Sequence, residues 1–370
     1  MLISVNNKSI DNAPDITAAD TRGWFPWNPK YNISNGRMIP DKTTRPERWL
    51  WEDRNNYEKR VEWFHKARYG IFYHFLAYGD RTLHSKNGFT FSESDWSSDR
   101  WNQIVESIDV EKTAEQAEEL GVGYVGITIG QNHRYACAPN PVIDSLWGLK
   151  PGQYNSYRDL PMDLGRALAK RGISLMIYVA NSKHKLPVPD EYNEEECNEL
   201  WLEALQWYSE HYRDLCKCWW VDGLQAVSPD PRGELYEYPI RLVKTLRSGN
   251  PNTLLSCYHY HLSDFIHGHC IGAGKWEKQR INCKPYFGRW DPDFNIQWHA
   301  FQYIGSYWGD TDTPLKTNEL VEYATDIVRQ GGVITFDVGS FKIINGKTEP
   351  CLEIPEAQMN QIRTVRDALT

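Results

Sequence analysis

Asp222 closes the run "KCWWVDG", in which an aspartate follows two tryptophans and a valine and precedes Gly223. An ionised carboxylate is costly among apolar neighbours unless something compensates it. Two readings fit: a cap for the following turn, since Asp before Gly is common there, or a reactive group delivered at the end of a buried strand. Glu277, in "GAGKWEKQRINC", offers a second carboxylate. It reads either as a solvated glutamate between Lys275 and Lys278 or as a proton donor tuned by cations and burial. The stretch "CYHYHLSDFIHGHC" pairs His259 with His261 and His267 with His269. On a strand, residues two apart share a face, so either pair could hold a metal. H-x-H alone does not specify one, and core or ligand-binding histidines give the same pattern, so no metal site is assigned.

Alternating apolar runs and helical stripes supply the elements that position these groups. "YGIFYHFL" (69–76), "YVGITIG" (124–130), "ISLMIYVA" (173–180), "TLLSCY" (253–258) and "GGVITFDVG" (331–339) read as buried strands, beside the strand that ends at Asp222. Between them lie helical faces: Val110, Ala114, Ala117 and Leu120, with Asp109 and Gly121 as caps; Leu160, Leu164, Ala167 and Leu168, stopping at Gly172. Further stripes are Trp201, Ala204, Leu205, Tyr208 and Tyr212; Leu235, Leu242, Val243 and Leu246; and Leu320, Ala324, Ile327 and Val328. Such alternation implies an α/β fold with a mainly parallel sheet. The number of units favours a (β/α)8 TIM-like barrel, and no Gly-rich phosphate fingerprint follows the first strand to favour a dinucleotide fold. The Pro-, Asn- and Gly-rich opening (1–56) reads as an extended N-terminal arm, and 57–370 as the barrel.

Barrel chemistry sits at the carboxyl ends of the strands. Those ends carry His74, Gln131–Asn132–His133–Arg134, Asn181, Lys183 and His184, then Asp222, His259 and His261, and further on Trp276 and Glu277. Polar residues recurring at so many strand ends favour a site, and move Asp222 toward the reactive reading.

Bulk composition narrows the ligand. The net charge of −8 and the lack of a Lys/Arg-rich run argue against nucleic acid, and no apolar run is long enough to span a membrane. The amino terminus lacks the pattern of a secretory signal. A cytoplasmic protein is expected, or a secreted or periplasmic one given without its leader. The eight scattered cysteines fit neither a disulfide scaffold nor a zinc ribbon and read as reduced structural thiols. With 16 Trp, 21 Tyr and 12 Phe, aromatic faces exceed what a core needs, and such faces stack on sugar rings. The N-x-S/T sequons at Asn7 and Asn32 carry little weight without a signal peptide.

Several segments, in order, resemble the α-L-fucosidase family of retaining glycoside hydrolases. "WFHKARYGIFYHF" (63–75) is similar to its first-strand motif, "GVGYVGITIGQNHR" to its second-strand end, and "YRDLPMDLGRALAKRGISLMIYVA" to its third helix–strand unit. "WWVDG" resembles its nucleophile motif, and "GGVITFDVG" with the helix after Pro355 its closing unit. The resemblance spans roughly 60–369. It implies Asp222 as nucleophile and Glu277 as acid/base, with Glu234, Glu237, Asp291 and Asp293 as competitors for the second role. It implies sugar contacts from His74 and His133. The expected binding set is completed by Asn132, Tyr178, Trp220, His259, His261, Trp276 and Trp308. The chain departs from the family at Phe75, where a tryptophan is usual, and at Asn132, where the first of two histidines is usual; both are expected to remodel the sugar pocket. No C-terminal β-sandwich is expected after the barrel. The implied protein is an exo-acting, cofactor-free glycosidase with a carbohydrate substrate. Altered sugar specificity, metal-assisted hydrolase or lyase chemistry, an inactive carbohydrate-binding homologue, endo action and an oligomer all stay open.

Overall fold

The computed structural model describes residues 31–34, 37–40, 53–77, 96–131, 133–180, 194–222, 237–257, 262–268, 288–291, 295–345 and 347–370. Strands β1 (Tyr31–Ser34) and β2 (Arg37–Pro40) form an antiparallel hairpin with Tyr31 opposite Pro40. Helix α1 (Arg54–Ala67) then leads into β3 (Tyr69–Tyr73). Next come α2 (Ser98–Ser107), α3 (Val110–Glu119), β4 (Tyr124–Thr128), α4 (Pro141–Leu146), α5 (Leu160–Ala169) and β5 (Ser174–Ala180). They are followed by α6 (Glu194–Tyr212), β6 (Cys216–Asp222), α7 (Glu237–Leu246), β7 (Leu254–Ser256) and β8 (His299–Tyr303). The chain closes with α8 (Thr317–Arg329), β9 (Val333–Val338), the hairpin β10 (Phe341–Ile344) and β11 (Lys347–Pro350), and α9 (Glu356–Leu369).

Seven strands form one parallel sheet in the order β7-β6-β5-β4-β3-β9-β8. The first strand, β3, lies between the second and the last, which is the cyclic order of a TIM-like barrel rather than of an open doubly wound sheet. Residues 264–268 reach both edges. The Asp264 amide donates to Leu255 O of β7 at 2.7 Å, the Ile266 amide to Gln297 O, and the Phe301 amide of β8 to Gly268 O at 2.9 Å. The segment thus stands where the missing stave of an eight-part barrel belongs.

Strand alternation sorts the side chains into two cores. Val125, Ile127, Leu175, Ile177, Trp219, Val221, Phe336 and Val338 face outward onto the helices, where they meet the expected stripes at Ala114, Leu164, Leu205 and Ile327. Phe72, Tyr124, Met176, Tyr178, Cys218, Trp220 and Phe301 face the barrel interior with Tyr57, Val61 and Phe64 of α1. The Phe64 ring centroid lies 4.5 Å from Phe265 and 5.0 Å from Tyr124, so α1 stops the amino-terminal mouth. Two interior glycines make room for these rings: a Cβ at Gly70 would sit 2.3 Å from Tyr124, and one at Gly126 2.3 Å from Phe72.

Local signals behave as read. Asp109 accepts from the Lys112 amide to start α3, and Gly121 (φ +66°) ends it. Among the described residues, Cys137, Cys197, Cys216, Cys218, Cys257 and Cys351 are buried. Burial pushes the Cys216 and Cys218 thiols up, and that of Cys351 to about 11, which suits inert core residues. No helix among the described residues is long and apolar enough to cross a membrane.

Candidate active site

The period of two along β6 sets Cys218, Trp220 and Asp222 on one face. Because Cys218 and Trp220 lie in the barrel interior, Asp222 emerges at its carboxyl-terminal mouth. The same geometry on β5 brings Tyr178 to that level, where its hydroxyl donates to Asp222 Oδ2 at 2.6 Å. A charge-assisted bond of this length supplies part of the compensation that a carboxylate in an aromatic frame requires. Asp222 keeps partial solvent exposure, whereas Trp220 beneath it is buried.

His74 follows Phe72 on the inward face of β3, and its ring lies 6.2 Å from Tyr178 and 5.5 Å from Trp308. Trp308, just beyond β8, packs 5.2 Å from Phe301 and 5.0 Å from Tyr303. The floor below is aromatic: Phe72 lies within 5.8 Å of His74, Tyr178, Trp220 and Phe301, centroid to centroid. Asp222, Tyr178, His74 and Trp308 therefore form one arc above a hydrophobic base. Polar groups converging on an apolar bowl are what a small-ligand site requires.

Asp337 is the residue that sequence reasoning passed over. Its Oδ1 lies 2.7 Å from His74 Nδ1, and its Oδ2 accepts the Gly309 amide at 2.8 Å. The signal was available: "TFDVG" sets a lone carboxylate at the end of a buried strand, as "WWVDG" does. Phe72 and Phe301 also went unassigned because an aromatic in a strand looks like any other core residue.

Other expected residues sit differently. His133 is buried with both ring nitrogens facing main chain, Nε2 at 3.0 Å from the Ala77 amide and Nδ1 at 3.1 Å from that of Tyr135. A neutral imidazole accepts at only one nitrogen, so the ring organises the loop after β4 through one of these contacts at a time. His267 is buried edge-on to Trp220 at 4.5 Å, with Nε2 3.2 Å from Val221 O. Asp291 is fully buried in a turn before β8, its amide donating to Ile296 O, and so lies at the opposite end of that strand from the arc. Phe75 does not line the pocket: it packs outward against Trp101 at 5.6 Å, so this departure from the family pattern alters the core under α2. Glu237 begins α7. Asn132, His259, His261, His269, Trp276, Glu277, Glu234 and Asp293 lie outside the described residues, as do Asn181, Lys183 and His184. Among the described residues, no group of three or more His, Cys, Asp or Glu could hold a metal ion.

No family model matches the chain, and no curated protein matches it in sequence. Solved structures do. An endo-fucoidan hydrolase of glycoside hydrolase family 107 superposes with a TM-score of 0.64 at 18% identity, over 86% of this chain and 54% of that one. An α-L-fucosidase from Lactobacillus casei, in complex with α-L-fucose, gives 0.60 at 17%, over 84% and 97%. An α-L-fucosidase isoenzyme from Paenibacillus thiaminolyticus gives 0.58 at 18%, over 84% and 75%. The chain thus spans about half the length of the fucoidan hydrolase. At these identities the likeness is one of fold, and it agrees with the family resemblance carried by the strand motifs.

Proposed function

We propose that the protein is an α-L-fucosidase-like glycoside hydrolase that releases a terminal sugar by double displacement. The observation that carries this reading is Asp222: a partly exposed carboxylate at a barrel strand end, hydrogen-bonded by Tyr178, whose ring neighbours His74 and through it Trp308, over an aromatic floor. Fold neighbours that hydrolyse fucosides and fucoidan support the substrate class.

In this reading Asp222 attacks the anomeric carbon. The carbon–oxygen bond to the leaving group breaks as an acid protonates that oxygen, giving a covalent glycosyl–enzyme. Water then adds at the same carbon, its proton passing to the same acid/base carboxyl, and Asp222 leaves as carboxylate. Glu277 is the candidate for that second carboxyl. Retention requires the pair ~5–5.5 Å apart, against ~6.5–9.5 Å for inversion. Tyr178 orients the nucleophile, His74 meets a ring hydroxyl, and Trp308 offers an apolar wall. No cofactor enters the reaction.

The test is a panel of aryl glycosides, including the α-L-fucoside, with wild type and Asp222→Ala. A loss of about a thousandfold or more on the best substrate is expected, with azide restoring turnover to Asp222→Gly. Full activity in Asp222→Ala would remove the nucleophile assignment, and no turnover by wild type on any member would remove the glycosidase reading. Selective loss on poor leaving groups in Glu277→Ala identifies the acid.

A further inference from the structure

The carboxyl ends of β9, β3 and β8 are joined by one buried side chain. Asp337 is 1% exposed and His74 5%. The Asp337 carboxylate faces the His74 ring with Oδ1 and takes the Gly309 amide with Oδ2. Three residues on, Ser340 repeats the link through main chain: its hydroxyl donates to His74 O at 3.0 Å and its amide to Gly309 O at 3.1 Å. Gly309 has φ +68°, a left-handed turn that favours glycine, and it directly follows Trp308. The same pair of residues, one bearing the histidine and the other the turn behind the tryptophan, is therefore gripped twice from β9.

We infer that Asp337 is the positioning residue of this site: it fixes His74 as the Nδ1–H tautomer, making Nε2 the acceptor nitrogen toward a ligand hydroxyl, and it seats the turn that holds Trp308 against the same ring. A carboxylate is acceptor-only, so the hydrogen between Oδ1 and Nδ1 belongs to the imidazole, and the neutral ring then has its lone pair on Nε2. Both oxygens serve fixed N–H donors, which offsets the cost of burying the charge. The carboxylate suits this place better than an amide. Asn has one acceptor oxygen: with that oxygen on the Gly309 amide, its NH2 faces Nδ1 and demands the opposite tautomer. The ligand half of this inference rests on the sugar-site reading above; the tautomer half does not.

Histidine-selective 15N labelling with long-range 1H–15N correlation at mildly alkaline pH tests it, His74→Gln identifying the resonances. Wild type is expected to show His74 protonated at Nδ1 and bare at Nε2, and Asp337→Asn to move the ring toward the Nε2–H form. An Nε2–H or doubly protonated ring in wild type overturns the inference, as does a spectrum that Asp337→Asn leaves unchanged. If Asp337→Asn does not fold, the wild-type spectrum alone decides. For the ligand half, Asp337→Asn should raise KM for 4-nitrophenyl α-L-fucopyranoside, and Kd for L-fucose, by about tenfold or more. Its kcat should fall by less than about threefold, since the lost interaction orients bound sugar rather than reacting with it. Equal KM and Kd in the two proteins overturns the ligand half. Absence of any L-fucose binding by wild type overturns the sugar reading and that half with it, while the spectrum still decides the tautomer.

Discussion

Replacing Asp264 with asparagine should loosen the stave that completes the barrel. Asp264 is 0% exposed, and its carboxylate accepts from Arg60 Nη2 at 2.8 Å, Arg247 Nη2 at 2.6 Å and the Leu255 amide at 2.8 Å. Its main-chain oxygen takes the Tyr57 hydroxyl at 2.7 Å. One residue thereby ties α1, the end of α7, β7 and segment 264–268 together. Asp264→Asn keeps the shape but removes the negative charge that two guanidinium groups share. Removing one partner of a buried pair costs about 3–5 kcal/mol. The lower part of that range applies, because Arg247 is 20% exposed and can recover water, whereas Arg60 is 9% exposed and cannot. At ~2.1 cal/mol/K per residue, a chain this long unfolds with an entropy of about 0.8 kcal/mol/K, so a loss near 3 kcal/mol lowers Tm by about 4 °C. Urea denaturation followed by tryptophan fluorescence, with calorimetry for Tm, measures it. The double variant with Arg60→Met should cost less than the sum of the two single changes, because one interaction is lost in both. An Asp264→Asn midpoint within about 1 °C of wild type, or strict additivity in the double variant, would refute the reasoning.

Gly126→Ala should destabilise by about 1–3 kcal/mol, read as a lower urea midpoint, because its Cβ would meet the Phe72 ring at 2.3 Å. An unshifted midpoint would mean the interior has slack. Burial, then the Arg289 charge, hold the His65 pKa below its ordinary 6.5. Its contribution to stability is thus complete above that value and lost as pH falls through the lowered folded pKa. His65→Gln should flatten the stability profile across that window, and an unchanged slope there refutes the assignment. Tyr178→Phe removes the 2.6 Å bond to Asp222. It should lower kcat/KM on the best aryl glycoside about tenfold, as loss of a hydrogen bond to a charged group would, and an unaltered value would deny Tyr178 an orienting role.

The sequence made some staves plain and hid others for definite reasons. β6 and β9 are near-continuous apolar runs, the mark of strands buried on both faces, so the carboxylates ending them stand out. β8, "HAFQY", carries buried His299 and Gln302 and reads as mixed. Its polar groups turn to partners inside the protein: His299 Nε2 lies 2.7 Å from Thr335 Oγ1 and Nδ1 3.0 Å from Ile266 O, and the Gln302 side-chain nitrogen donates to Tyr303 O. Segment 264–268 is harder still, since an aspartate, a histidine and a glycine in five residues look like a loop until Arg60 and Arg247 arrive from 204 and 17 residues away. His133 shows the converse limit. A histidine at a strand end invites a ligand role, yet main-chain amides of its own loops occupy its surroundings, and no local pattern announces that.

Three aspartates stand on the staves of this barrel, and their surroundings divide the work. Asp264 and Asp337 are buried to 1% or less and are held by N–H donors from several elements, so neither can approach an incoming carbon without dismantling its ties. Asp222 has partial exposure, and the Tyr178 hydroxyl on the neighbouring strand donates to it. With α1 filling the amino-terminal mouth, Asp222 stands at the carboxyl-terminal end of β6, the end at which His74 and Trp308 also lie. A nucleophile has to be reachable yet oriented, and a positioning carboxylate has to be neither reachable nor mobile. The roles proposed for Asp222 and Asp337 answer to these opposite requirements: Tyr178 touches one side of Asp222, whereas His74 and Gly309 close on Asp337 from the ends of β3 and of the turn after β8.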